Sequence, residues 1–145
     1  MSTGFDLAID SNLAAVQTAA RAVRAACAGL LPTEVIDEIE IAVVEAINNV
    51  ITHGYGGRGG HEIRVRLCLQ PEKVEIEIID RARPMAPRLF ASLPVDPFPV
   101  DGANRAALPE RGRGLALIRV TMDEVAYGSE GGENHLRLTK HRRMP

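Results

Sequence analysis

Apolar residues along this chain recur with two different periods. Phe5, Leu7 and Ile9 alternate with polar or small neighbours, which predicts a short leading strand. Leu13, Val16, Ala20, Val23, Cys27 and Leu30 then recur at three- and four-residue steps, one narrow apolar stripe of a helix. Ser11 is placed to cap that helix, and Gly29 and Pro32 to end it. A second helix is predicted from Thr33, a good N-cap, to about His53, with Glu34, Asp37 and Glu38 at its positive end. Val35, Ile39, Ala42, Val43, Ala46 and Val50 fall on one side of it. Glu45, Asn49 and His53 follow one another along the border of that arc, where a helix lying on a sheet would edge a cleft.

The run Gly54 to Gly60 breaks the helix and predicts a flexible turn. Ile63, Val65, Leu67 and Leu69 alternate with polar residues, as do Val74, Ile76 and Ile78, and a turn at Gln70 to Lys73 joins them. The pattern is that of an antiparallel hairpin with one apolar and one charged face, Arg64 and Arg66 facing Glu75 and Glu77. Residues 81 to 110 hold six of the nine prolines and predict only a helical turn at Arg88 to Leu93. A connection of that length inside one domain reads as a lid or binding loop, with a disordered insertion as the alternative. Leu115 to Met122 predicts a helix, and Val125 to Tyr127 and His135 to Thr139 predict two strands about a turn at Glu130 to Glu133. The predicted fold is an α+β two-layer sandwich, a mixed, mainly antiparallel sheet with helices on one face and the other face partly wet.

Composition narrows this picture. A length of 145 residues fits one domain, spanning 1–145, with a lid at about 81–111. With no Trp, three Phe and two Tyr, the core must be aliphatic. A formal charge of -2 gives no electrostatic case for direct nucleic-acid binding. No apolar run approaches the ~20 residues that span a bilayer, and the first ten residues lack a secretory pattern, so no membrane partner is expected. Cys27 and Cys68 read as free thiols in a reducing cytosol, a disulfide being the other reading. The closing Lys140-His141-Arg142-Arg143 reads as a solvated tail.

Three features bear on chemistry. Glu45 and Asn49 lie four apart, so a carboxylate and an amide stack on one helix face, an arrangement that suits a hard cation or its bound water. The same spacing also describes an ordinary polar pair on a wet helix edge. Asp80 ends the second hairpin strand, where it can accept from a ligand amine or simply cap the next turn. Gly112 and Gly114, ahead of a helix and flanked by Arg111 and Arg113, offer backbone N–H groups to phosphate, although no Walker loop follows. His53 at the helix end reads as bonding to the last carbonyls or as touching a ligand.

In order and context these pieces form a pattern. The segment Val44-Glu45-Ala46-Ile47-Asn48-Asn49-Val50-Ile51-Thr52-His53-Gly54-Tyr55 resembles the N box of the Bergerat-fold (GHKL) ATPases, and most of all that of their anti-sigma-factor serine kinase branch. Asp80-Arg81-Ala82 stands where that family has Asp-x-Gly, and Gly112-Arg113-Gly114-Leu115 stands for its second glycine box. The resemblance implies a cytoplasmic serine/threonine-protein kinase and anti-sigma factor that uses ATP and Mg²⁺. Its partners would be an RNA polymerase sigma factor and a STAS-type anti-sigma-factor antagonist, and it would form a homodimer. Asn49 would hold the Mg²⁺, Glu45 would act as catalytic base or orient the attacking hydroxyl, and Asp80 would accept from the adenine amine. Gly112 and Gly114 would let the lid approach the phosphates, and Arg111 or Arg113 would neutralise charge there. The implied nucleotide site also takes in His53, Ala82 and Leu115.

The family's first-box glycine is Ala82 here. A non-glycine residue held in a sparse backbone region costs about 1–3 kcal/mol, whereas an ordinary φ at this position costs nothing. Two other readings follow: a regulator of the same fold that binds nucleotide weakly or not at all, and a detached ATPase domain of histidine-kinase type.

Overall fold

Alternation of apolar and charged residues lets each strand bury one row of side chains and leave the other in water. In β1 (Thr3–Asp10), β2 (Glu62–Leu69), β3 (Lys73–Asp80), β4 (Glu124–Glu130) and β5 (Glu133–His141) this produces one five-stranded sheet in the order β1-β2-β3-β5-β4. Among the described residues every pairing is antiparallel, so the mixed sheet expected from the sequence is uniform there. The computed structural model describes residues 3–85 and 110–142, with side chains from Gly114 onward in the second span. Helices α1 (Leu13–Cys27), α2 (Thr33–Asn49) and α3 (Glu110–Thr121) lie over one face, α2 touching both of the others.

The core lies between the layers and is aliphatic. Ile63, Val65, Val74, Ile76, Ile78 and Leu138 from the sheet meet Val23, Ile39, Val43, Ile47, Leu115 and Ile118 from the helices. Each such side chain contributes about 1.5–3 kcal/mol when fully buried. The opposite face carries a charged ladder in which Asp6 accepts from Arg64 (2.6 Å) and Arg66 (3.2 Å), while Glu77 takes Arg66 (3.3 Å) and Arg137 (3.5 Å). These pairs are solvent-exposed and worth about 0–1 kcal/mol each, so burial and not the ladder holds the layers together.

Local details depart from expectation. Asn12, not Ser11, caps α1, its side chain accepting from Ala15 N–H at 2.8 Å. Ser11 is instead fully buried: its hydroxyl donates to Arg58 C=O (2.7 Å) and accepts from His61 N–H (3.1 Å). With Asp10 accepting from Gly60 N–H (3.0 Å), it pins the glycine run that the sequence presents as a flexible turn. Pro32 stands at the N-cap of α2 with no side-chain cap bond, and Thr33 is already helical. Leu13 and Leu30, at the two ends of the predicted stripe, are 65% and 52% exposed because α1 starts at the first and stops short of the second.

The predicted tail is also ordered as far as it is described. Lys140 Nζ donates to Thr121 C=O (2.6 Å), and Arg142 donates to Gln70 C=O and Leu30 C=O. Cys27 and Cys68 are free thiols. Among the described residues no helix is long and apolar enough to cross a membrane. Of the lid predicted at about 81–111, residues 86–109, and with them the turn predicted at Arg88–Leu93, lie outside the described residues.

Candidate functional site

The polar border of α2 ends in a backbone irregularity. After Asn49 the chain runs through a π-helical turn, Val50–Gly54, closed by Tyr55 N–H to Val50 C=O at 2.9 Å. Such turns widen the helix and re-aim the residues beyond it. Glu45 is half-buried and Asn49 is 7% exposed. Burial raises the Glu45 carboxyl above its ordinary pKa. Among the described residues, buried Asn49 Nδ2 finds no hydrogen-bond partner. An unmade bond of that kind ordinarily costs about 1–3 kcal/mol.

Gly114 faces both side chains. A Cβ on it would lie 3.1 Å from Glu45 Oε2, 3.6 Å from Asn49 Nδ2 and 3.8 Å from Asn49 Oδ1. The two polar groups therefore converge on a gap that exists because residue 114 has no side chain. The helix α3 begins at Glu110, so Gly112 and Gly114 sit inside its first turns and not in a loop ahead of it. Gly112 N–H still belongs to the four leading donors that lack an intrahelical acceptor. Leu115 is 1% exposed and packs in the core, anchoring α3 beneath the gap. The side chains of Arg111 and Arg113 lie outside the described residues.

Asp80, at the end of β3, is 6% exposed. Its Oδ1 accepts from Ala82 N–H (2.9 Å) and from Asn134 Nδ2 (2.8 Å). Asn134 Nδ2 also reaches Ala82 C=O (2.8 Å), and Ser129 Oγ donates to Asn134 Oδ1 (2.6 Å). Burial raises the Asp80 pKa, opposed by the bonds from Asn134 and Ala82 and by the nearby His135. No described residue other than glycine has a positive φ, so Ala82 carries none of the backbone strain that its replacement of glycine could have brought.

Two spaces adjoin this group. One, of 670 Å³, is bordered by His53, Tyr55, His61, Asp80, Ala82 and Arg83 among others. The other, only 10 Å³, lies among Asn49, Val50, Gly54, Asp80, Ala82, Arg83, Met85 and Tyr127. The sequence-predicted residues thus fall into two groups, Glu45–Asn49–Gly114 and His53–Asp80–Ala82, with the small space between Asn49 and Asp80. Neither Asn134 nor Tyr127 is among the site residues that the sequence predicts. Asn134 stands directly across from Asp80 in the β3–β5 register, a pairing between strands that are not neighbours in the chain. Tyr127 Oη accepts from Met85 N–H at 2.9 Å. Among the described residues no three His, Cys, Asp or Glu side chains converge as a metal site.

Residues 9–140 match the family described as a histidine kinase-like ATPase domain. The serine-protein kinase RsbW of Bacillus pumilus is 32% identical over 102 residues, covering 68% of this chain and 61% of that protein. The serine-protein kinase RsbW of Oceanobacillus iheyensis is 29% identical over 99 residues, with the same two coverages, 68% and 61%. The anti-sigma F factor of a Thermoanaerobacter species is 34% identical over 125 residues, covering 84% of this chain and 82% of that protein. The chain therefore spans 61% of the length of the two kinases it matches.

Proposed function

The chain belongs to the histidine kinase-like ATPase domain family, and from that premise we propose that it is an ATP- and Mg²⁺-dependent serine kinase that also acts as an anti-sigma factor. Its substrate in this reading is a serine of a STAS-type antagonist protein, and its other partner is an RNA polymerase sigma factor. It works as a cytoplasmic homodimer formed of single domains. Its relatives, a serine-protein kinase and an anti-sigma F factor, support the activity and the partners. The observation that carries the reading is the convergence of Glu45 and Asn49 on the gap at Gly114, with a buried amide atom of Asn49 left without a partner.

The residues present fit nucleotide and cation. Asn49 can turn its amide oxygen toward the gap, since an amide presents either end, and there serve as the protein's ligand to Mg²⁺. The cation, when bound, neutralises phosphate charge. Gly112 N–H and the charges of Arg111 and Arg113 assist on the lid side. Asp80 accepts from the adenine amine, while Ala82 and His53 wall the base and Leu115 fixes α3. Glu45, raised in pKa by burial, takes the proton of the attacking serine hydroxyl as the new O–P bond forms and the bond to the leaving β-phosphate oxygen breaks.

Calorimetric titration of ATP with and without Mg²⁺ tests this reading. Wild-type binding should tighten with the cation, and Asn49→Ala should lose that increment. Glu45→Ala should keep nucleotide and lose phosphotransfer to the antagonist serine. Phosphotransfer unchanged in both variants would overturn the assignment. The small space among Asn49, Asp80, Met85 and Tyr127 favours a second reading, a regulator that binds nucleotide weakly. Sub-millimolar ATP affinity together with turnover excludes it.

A further inference from the structure

Gly54 and Ala82 lie on elements far apart in sequence, the π-helical turn and the segment after β3. A Cβ built on Gly54 would sit 2.7 Å from the Cβ of Ala82. Side-chain carbons do not approach so closely, and neither end of this contact can swing away, because each Cβ is fixed by its own backbone. Ala82 is held at both polar groups of its backbone: its N–H donates to Asp80 Oδ1 and its C=O accepts from Asn134 Nδ2. The preceding residue is tied as well, Arg81 N–H donating to Tyr55 Oη at 2.9 Å. Relief of a clash at residue 54 must therefore displace the segment to which Asp80 is bonded. Gly54 and Ala82 also border both adjoining spaces, so together they form a wall between them.

We propose that Gly54 and Ala82 are a size-matched pair that positions Asp80, residue 54 lacking a side chain because residue 82 has one. The methyl group at 82 fills room left by the glycine at 54, so the departure from Asp-x-Gly is compensated within the site and leaves base recognition in place. Both are positioning residues, and the inference rests on the reading of Asp80 as acceptor of the adenine amine.

The test is a double-mutant cycle of Gly54→Ala, Ala82→Gly and the two together. Affinities for ATP and for inosine triphosphate, which lacks the amine, are measured by titration, and apo-protein melting is followed alongside. With Ala82 present, Gly54→Ala should lower the ATP-to-inosine-triphosphate affinity ratio about tenfold, because the carboxylate no longer meets the amine. In the Ala82→Gly background the same substitution should change the ratio less than about twofold. Equal losses in both backgrounds, or no loss in either, overturn the pairing. A merely structural role would weaken both nucleotides alike and leave the ratio where it was, which also overturns it.

If Gly54→Ala does not fold, a folded double variant supports the pairing and an unfolded one overturns it. If the wild-type chain binds neither nucleotide, the proposed function fails. The pairing is then decided by apo melting alone: the midpoint lost in Gly54→Ala either returns in the double variant or does not.

Discussion

The two ends of the site are built in opposite ways. Around Asp80 the chain supplies its own partners: one carboxylate oxygen takes two donors, Asn134 bonds in three directions, and Tyr55 holds the next residue along. Around Asn49 the chain leaves a buried amide atom unbonded and opens a gap at Gly114 beside a half-buried carboxylate. The first end is rigid before anything arrives. The second is incomplete, and its completion is worth most in free energy when a ligand supplies the missing partner. A base recognised by fixed shape and phosphates recognised by unmet bonding would need this division.

The comparison can be broken most severely at Glu45. Glu45→Gln should reduce phosphotransfer about 10²–10⁴-fold with ATP affinity nearly kept, as single-turnover assays beside calorimetry would show. Loss of binding in equal measure would place Glu45 among the groups that hold ATP. At the matched end, Asn134→Ala removes donors from both Asp80 and Ala82 and should destabilise the fold by about 1–3 kcal/mol in urea unfolding. An unchanged midpoint would mean that this end is not held as the geometry implies.

Asp80→Asn separates stability from recognition. Burial raises the folded-state pKa of Asp80, so ionising it weakens the fold as pH climbs from the unfolded value through the raised one. The Asn variant keeps an oxygen for Ala82 and Asn134 and escapes that cost. It should be more stable than wild type at pH 7, and the difference should shrink as pH falls toward the ordinary carboxylate value of 3.8. A wild type that stays less stable by the same amount at pH 4 would refute the electrostatic cause. The smallest effect is expected at the incomplete end. Asn49→Leu removes the unmatched atom and should raise apo stability by about 0.5 kcal/mol while abolishing the Mg²⁺-dependent part of ATP binding.

Most of the fold could be read from periodicity, because alternating strands and a three-four helical stripe each report which side chains must leave water. The β2–β3 hairpin and both long helices follow from that. The caps did not: Ser11 and Thr33 have the right chemistry, but Ser11 is needed against Arg58 and His61, and Pro32 already sets the entry to α2. Glu45, Asn49 and Asp80 were legible as a spacing and a strand end. Asn134 was not, since its role depends on β5 lying against β3. The compatibility of Ala82 with the site depends on Gly54, and no pattern within a single element carries that contact.

The bonds made by Ser11 also bear on how the chain assembles. They join residues separated by 47 and 50 positions, with both long helices in between. Closing such a loop is entropically slow, whereas each helix can form from local contacts in about a microsecond. The expected order is therefore helices and the β2–β3 hairpin first, with β1 docking along β2 late and the glycine run locking last. The first strand would then be the last strand to become native, and hydrogen exchange there and in the glycine run would report the earliest openings of the molecule.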